Sequence, residues 1–112
     1  GKKYDLQMSC YVNGELLSEG NAKDMNWTFA EIIERASYGT KLFPGDVIGS
    51  GTVGTGCLLE LNGTGKIETP EYKERWIQEN DEVEMQIEGL GKITNKIVKA
   101  NSDHSILKLK KW

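Results

Sequence analysis

Residues 4–12 alternate: Tyr4, Leu6, Met8, Cys10 and Val12 fall on one side, and Asp5, Gln7, Ser9 and Tyr11 on the other. A repeat of two is that of a strand with one buried face. Asn13 and Gly14 follow, a pair that accepts the positive φ angles of a type I′ turn, so residues 15–19 are predicted to fold back as the second strand of a hairpin. The period then changes. Phe29, Ile32, Ile33 and Ala36 recur at i, i+3, i+4 and i+7 while Glu31, Glu34 and Arg35 take the other face, which predicts one main helix over about residues 27–37. Thr28 and Glu31 have capping-box spacing at its start, Asn26 is the other cap candidate, and Gly39 stands at its end.

Pro44-Gly45 marks a turn before a short apolar strand at residues 47–48. Residues 49–56 are rich in glycine. Residues 57–61, reading CLLEL, predict a further strand, Asn62-Gly63 another turn, and residues 64–78 a polar surface excursion with a helical turn near 71–76. Val83, Met85 and Ile87 alternate with polar neighbours, Gly89-Leu90-Gly91 turns the chain, and residues 93–98 run back as a second hairpin. Residues 105–112 alternate weakly and carry Lys108, Lys110 and Lys111, which suits an edge strand where lysine discourages stray pairing. The sum is an α+β chain, strand-rich, with antiparallel or mixed pairing and one main helix.

At 112 residues and 38% hydrophobic content the chain has apolar material for one core and not two, so residues 1–112 are read as a single domain. Its formal charge of −3 leaves no positive excess to neutralise a phosphate backbone, so nucleic acid is not an expected partner. No apolar run approaches the ~20 residues of a bilayer span, so neither is a membrane. Cys10 and Cys57 lack CxxC spacing and a neighbouring histidine; they read as free buried thiols, which suits a reducing cytoplasm. His104 reads as a solvated residue, and Asp5, Asp46 and Asp81 as turn and strand-edge residues, so no metal ligand is assigned within the chain. The opening Gly1-Lys2-Lys3, without methionine and directly before a strand pattern, reads as the start of a fragment.

Residues 49–54 match GxGxxG literally. A dinucleotide site needs a helix opening at the third glycine, whereas CLLEL reads as a strand, and this argues against nucleotide binding. Two readings of the loop stay open. It is a glycine-rich connection needed for its backbone angles, or it is a ligand loop in which Ser50, Thr52 and Thr55 supply hydroxyls and amides to a carboxylate or an enolate oxygen.

Taken in order, the NGE of the first hairpin, MNWTFAEIIERAS, LFPGDVIGSGTVGTGCLLELNG and NDEVEMQIEGLGKITN resemble the C-terminal half of the fumarylacetoacetate hydrolase family. That family carries an NGE hairpin, a helix, an LxPGDxxxxGT segment and a closing GDxVxxxIxGLGxxxN hairpin. The resemblance covers residues 5–98. It implies mixed or antiparallel sheets rolled into a pseudo-barrel, and a homodimer. It also implies roles for three residues: Thr52 as a contact to the acid end of the substrate, Gly51 as the glycine that lets the backbone approach it, and Glu60 as the catalytic carboxylate that activates water with a histidine. Three departures stand out. Val53 follows the threonine where many members have proline, Ser18 stands where many have a substrate-binding glutamine, and Asn80 replaces a turn glycine, which asparagine tolerates.

The family's metal ligands, an ExE pair and an aspartate, together with a lysine and a histidine, lie upstream of the matched region and have no counterpart here. The resemblance therefore implies that the parent enzyme holds Mg²⁺, or Mn²⁺ or Ca²⁺, with residues outside this chain, and that these 112 residues alone are inactive. The implied substrate is a small 2-oxo or 1,3-diketo acid, and C–C bond hydrolysis is the expected reaction, slightly favoured by Glu60. Isomerisation, decarboxylation and hydration pass through the same kind of enolate. Two alternatives stay open: an exposed, idle Glu60 on a strand, and a non-catalytic binding or assembly module. Cut from its other half, the chain is expected to expose surface and to self-associate or be marginally stable.

Overall fold

The computed structural model describes residues 2–101, so His104 and the edge strand expected at residues 105–112 lie outside the described residues. In order, the elements are β1 (Gln7–Val12), β2 (Glu15–Asn21), a 3-10 turn (Ala22–Asp24), α1 (Phe29–Ala36), α2 (Leu58–Glu68), β3 (Glu82–Ile87) and β4 (Gly91–Lys96). The strands form one antiparallel sheet in the order β2-β1-β3-β4.

Both hairpins form where the sequence places them. Asn13 and Gly14 take φ values of 53° and 79°, the paired positive angles that the β1–β2 turn needs. The same asparagine starts the third strand: its Nδ2 donates to Asp81 Oδ1 at 2.8 Å, and the Glu82 N–H donates to its Oδ1 at 2.9 Å. Asn80 sits at φ 75°, as expected of an asparagine in a glycine's place. Cys10 lies opposite Ser18 on one side and Met85 on the other. Past Cys10 the register slips so that Tyr11 meets Leu16, and β2 bulges at Leu17.

The α1 capping box is complete. The Glu31 N–H donates to Thr28 Oγ1 at 3.3 Å while Glu31 Oε2 accepts from the Thr28 N–H at 2.7 Å, which satisfies two amides that the helix start leaves open. Tyr4 packs a tilted ring against Phe29, with centroids 6.0 Å apart, and so ties the helix to the chain before β1.

Four expectations are corrected. Residues 57–61 are not a strand: the helix α2 begins at Leu58 and runs through Asn62-Gly63, which is therefore no turn. Residues 47–48 form no strand, and residues 71–76 contain no helical turn. The sheet is antiparallel throughout, one of the two pairings the sequence allowed. Within this chain the sheet is open: among the described residues the outer sides of β2 and β4 meet no further strand.

Among the described residues, Val12, 1% exposed, and Ala22 are the buried apolar ones. Met85 and Ile93 on the sheet remain substantially exposed, as do Trp27 and Phe29 at the start of α1, so the apolar side chains of both elements have little packed against them among the described residues. The Cα radius of gyration is 18.0 Å, against about 13 Å for a compact domain of this length.

Candidate active site

The segment between α1 and α2 reaches the sheet without regular structure. Its first turn closes around Pro44-Gly45, where Asp46 Oδ2 accepts from the Phe43 N–H at 2.8 Å and the Asp46 N–H donates to the Phe43 carbonyl at 3.0 Å. The glycine-rich stretch then folds over the β2-β1-β3 face. Gly51 takes φ 94° and Thr55 φ 64°, and the Gly56 N–H closes one turn on the Val53 carbonyl at 2.8 Å.

This brings Thr52, Val53 and Gly56 over Cys10, Ser18 and Met85, around a groove of about 230 Å³. Helix α2 starts just beyond. Cys57 is its N-cap residue and makes no capping hydrogen bond through its thiol, so the first amides of the helix have no side-chain partner. Of the three site residues expected from the sequence, Thr52 lines the groove. Gly51 precedes it in the chain and supplies the positive φ, without lining the groove. Glu60 is exposed on the first turn of α2, also away from the groove lining, where a negative charge suits the positive end of the helix dipole.

Helix α2 is held by one buried polar group. Asn62, 2% exposed, accepts from the Arg75 N–H at 3.0 Å and from the Tyr72 hydroxyl at 3.2 Å through Oδ1, and its Nδ2 donates to the Arg75 carbonyl at 2.9 Å. Arg75 in turn reaches the β1–β2 hairpin through an ion pair with Glu15 at 2.6 Å. A second strut joins Lys66 to Glu74, and this ammonium, followed by the Trp76 indole N–H, holds the Glu74 carboxyl below its ordinary value.

Sequence reasoning missed Cys10, Met85 and Gly20 as groove residues and treated Ser18 only as a departure. The signal was present in part: Met8 and Cys10 alternate onto one face of the first strand. Which neighbours share that face depends on strand order and register, which no local pattern carries.

The fold offers no dinucleotide cradle around these glycines. A helix does follow the glycines, but no strand leads directly into them, and the sheet is antiparallel where that fold needs parallel strands around a crossover. Asp5, Asp46 and Asp81 each hold a turn or a strand end through hydrogen bonds to neighbouring groups. Among the described residues no three His, Cys, Asp or Glu side chains gather to hold a metal, so the residues present do not supply a site for the implied Mg²⁺. Cys10 and Cys57 are free and half-buried. No helix among the described residues is long and apolar enough to cross a membrane.

Comparison with known proteins places the chain in a family. The chain is 35% identical over 95 residues to the mitochondrial oxaloacetate tautomerase FAHD2B of Bos taurus, covering 85% of this chain and 27% of that protein. It is 34% identical over 92 residues to the oxaloacetate tautomerase YisK of Bacillus subtilis, covering 82% and 27%. An HpcE-like protein of Mycobacterium smegmatis, known from a crystal structure, superposes with a TM-score of 0.66 at 27% identity, over 85% of this chain and 31% of that one. The chain thus spans about a quarter of the length of the curated relatives it matches. The family profile of the fumarylacetoacetate hydrolase C-terminal domain matches residues 1–98, and the chain therefore belongs to the fumarylacetoacetate hydrolase family.

Proposed function

We propose that the natural full-length protein is an enzyme that takes a small 2-oxo or 1,3-diketo acid through its enol form, and that its reaction is keto–enol tautomerisation of an oxaloacetate-like acid. The observation that carries the reading is the seating of residues 49–56 on the sheet, which leaves Thr52 at the groove beside Ser18 and Cys10, just ahead of the uncapped start of α2. Relatives named for oxaloacetate tautomerisation support the same choice. A hydroxyl and free helix amides are donors suited to a carboxylate.

In this reading Thr52 Oγ1 donates to the acid end of the substrate, and Gly51 lets the backbone come close to it. Glu60 takes a proton from the carbon next to the ketone while a solvent water gives one to the ketone oxygen, and the exposed Glu60 carboxyl then returns its proton to solvent, so no atom is gained or lost overall. C–C hydrolysis of an acylpyruvate is the second reading, favoured by the exposure of Glu60, because a carboxylate open to solvent can orient water. A divalent cation, Mg²⁺ or in its place Mn²⁺ or Ca²⁺, a homodimer and a sheet closed into a roll belong to the same proposal, all requiring residues outside this chain.

The test is oxaloacetate tautomerisation by the full-length protein, followed optically, beside acylpyruvate cleavage. Thr52→Ala is expected to raise KM about tenfold, and Glu60→Gln to lower kcat about a hundredfold or more, with both variants folded. An unchanged KM removes Thr52 from the substrate, and an unchanged kcat removes Glu60 from the proton transfer. Dialysis against EDTA should abolish turnover and added Mg²⁺ restore it; full activity after EDTA would take the metal out of the proposal.

A further inference from the structure

The glycine loop carries Thr52 and yet has few bonds to hold it in place. Its backbone hydrogen bond, from the Gly56 N–H to the Val53 carbonyl, is internal, and among the described residues no hydrogen bond joins residues 49–56 to the sheet. What meets the sheet is the side chain of Val53. It sits directly on Gly20 of β2, where a Cβ would overlap Val53 Cγ1 far inside contact distance, with the Val53 Cβ next at 3.5 Å. Gly20 pairs with Met8 across the ladder, two residues along from the Ser18–Cys10–Met85 row that floors the groove and so on the same face of the sheet.

The backbone does not require glycine at this position. Gly20 is not among the residues with positive φ and lies within a regular strand, a setting that alanine adopts freely. What meets an added side chain first is Val53: the three nearest atoms to a Cβ built at Gly20 all belong to it. Position 20 is therefore empty for the sake of the loop, and the branched side chain at position 53 fills that space as a knob fills a socket.

We infer that Gly20 and Val53 are a positioning pair: the missing side chain on β2 is the seat that fixes Val53, and through the peptide bond to Val53 it sets where the Thr52 hydroxyl meets the acid end of the substrate. The inference rests on the proposed role of Thr52 and goes beyond it, because it assigns the placement of that residue to a strand position that touches no reacting atom. Neither residue is a catalytic group. Their effect falls on how well the substrate is held.

The experiment is a size-swap cycle in the full-length protein: Gly20→Ala, Val53→Ala and the double variant, with Thr52→Ala alongside. Two readouts are used, hydrogen exchange of the amides in residues 51–56 without substrate, and KM and kcat for oxaloacetate. In Gly20→Ala the added methyl should unseat the loop, speed exchange in residues 51–56 and raise KM about tenfold, with kcat changed much less. Combining it with Val53→Ala removes the overlapping Cγ1 and should return both exchange and KM most of the way to the parent values, a coupling that independent sites do not show.

A Gly20→Ala protein whose loop exchanges at the parent rate overturns the inference, and so does a double variant no better seated than Gly20→Ala alone. Should Gly20→Ala fail to fold, recovery of a folded protein with parent-like exchange in the double variant still supports it, and a double variant that also fails overturns it. If Thr52→Ala leaves KM unchanged while the exchange data follow the swap, the substrate role of Thr52 falls and the seat stands. If Thr52→Ala raises KM and Gly20→Ala does not, the seat falls as a positioning device and the substrate role stands.

Discussion

Asn62 shows how much one side chain can hold. Its amide is 2% exposed and is matched at both ends by the backbone of Arg75, with the Tyr72 hydroxyl as a third partner. Removing it leaves a half-buried N–H and a carbonyl without partners, and an unmet buried group costs about 1–3 kcal/mol. Asn62→Ala should therefore destabilise the full-length protein by about 2 kcal/mol. Urea unfolding measures this directly, and a loss under about 0.5 kcal/mol, the level of an ordinary surface change, would remove the tether from the account of α2. Nothing in the sequence singles out this residue. Next to Gly63 it has the composition of a turn, and its partners lie 13 and 10 positions further on.

At the scale of elements, α1 and α2 contrast. In α1 the apolar period, the capping box and the terminal glycine agree with one another, and the helix forms where they predict. In α2 the apolar residues bunch at Leu58, Leu59 and Leu61, and two glycines follow within the helix, so both period and propensity argue against it. Those two glycines differ. A Cβ at Gly63 would meet nothing within 4 Å, whereas one at Gly65 would stand 2.5 Å from the Tyr72 ring. Gly63→Ala should thus gain up to about 1 kcal/mol of helix propensity. Gly65→Ala should lose stability despite the same gain, because the ring that covers the helix must move. Thermal unfolding of the pair decides it: equal and opposite shifts from expectation, with Gly63→Ala destabilising, would mean that residues 58–68 are not helical in solution.

For the whole molecule, the charge pattern predicts an acid limb in stability. Hydrogen bonds from Asn21 and Lys23 hold Asp5 below its ordinary 3.8, and those from the Gln78 N–H and the Asn13 side chain do the same for Asp81. The Thr28 hydroxyl and N–H hold Glu31 below 4.5, and Lys66 and Trp76 act likewise on Glu74. Carboxyls depressed in the folded state add stability that is present above their unfolded values and lost as pH falls through the lower folded ones. Stability should therefore stay level from neutrality to about pH 5 and decline below it. Asp81→Asn should flatten part of that decline in denaturant titrations run from neutral to acid pH, and an unchanged acid limb would show that the β1–β3 junction does not depend on this charge.

What the sequence determined by itself is the set of features made by neighbours in the chain. The two hairpins follow from Asn13-Gly14 and the glycine turn before β4. The α1 helix follows from its period and its Thr28–Glu31 cap, and family membership follows from the order of short blocks. Each rests on torsional preference or on hydrogen bonds over a few residues, and these act the same way whatever surrounds them. The tertiary structure alone decided that residues 58–68 are helical, that the sheet is open within this chain, and that the loop rests on β2 with Thr52 at a groove and Glu60 outside it. The partners responsible, Arg75 for Asn62, Tyr72 for Gly65 and Val53 for Gly20, are remote in sequence. Their contribution exists only once strand order and register have brought them together, and an absent side chain leaves no local signal of the one that needs its space.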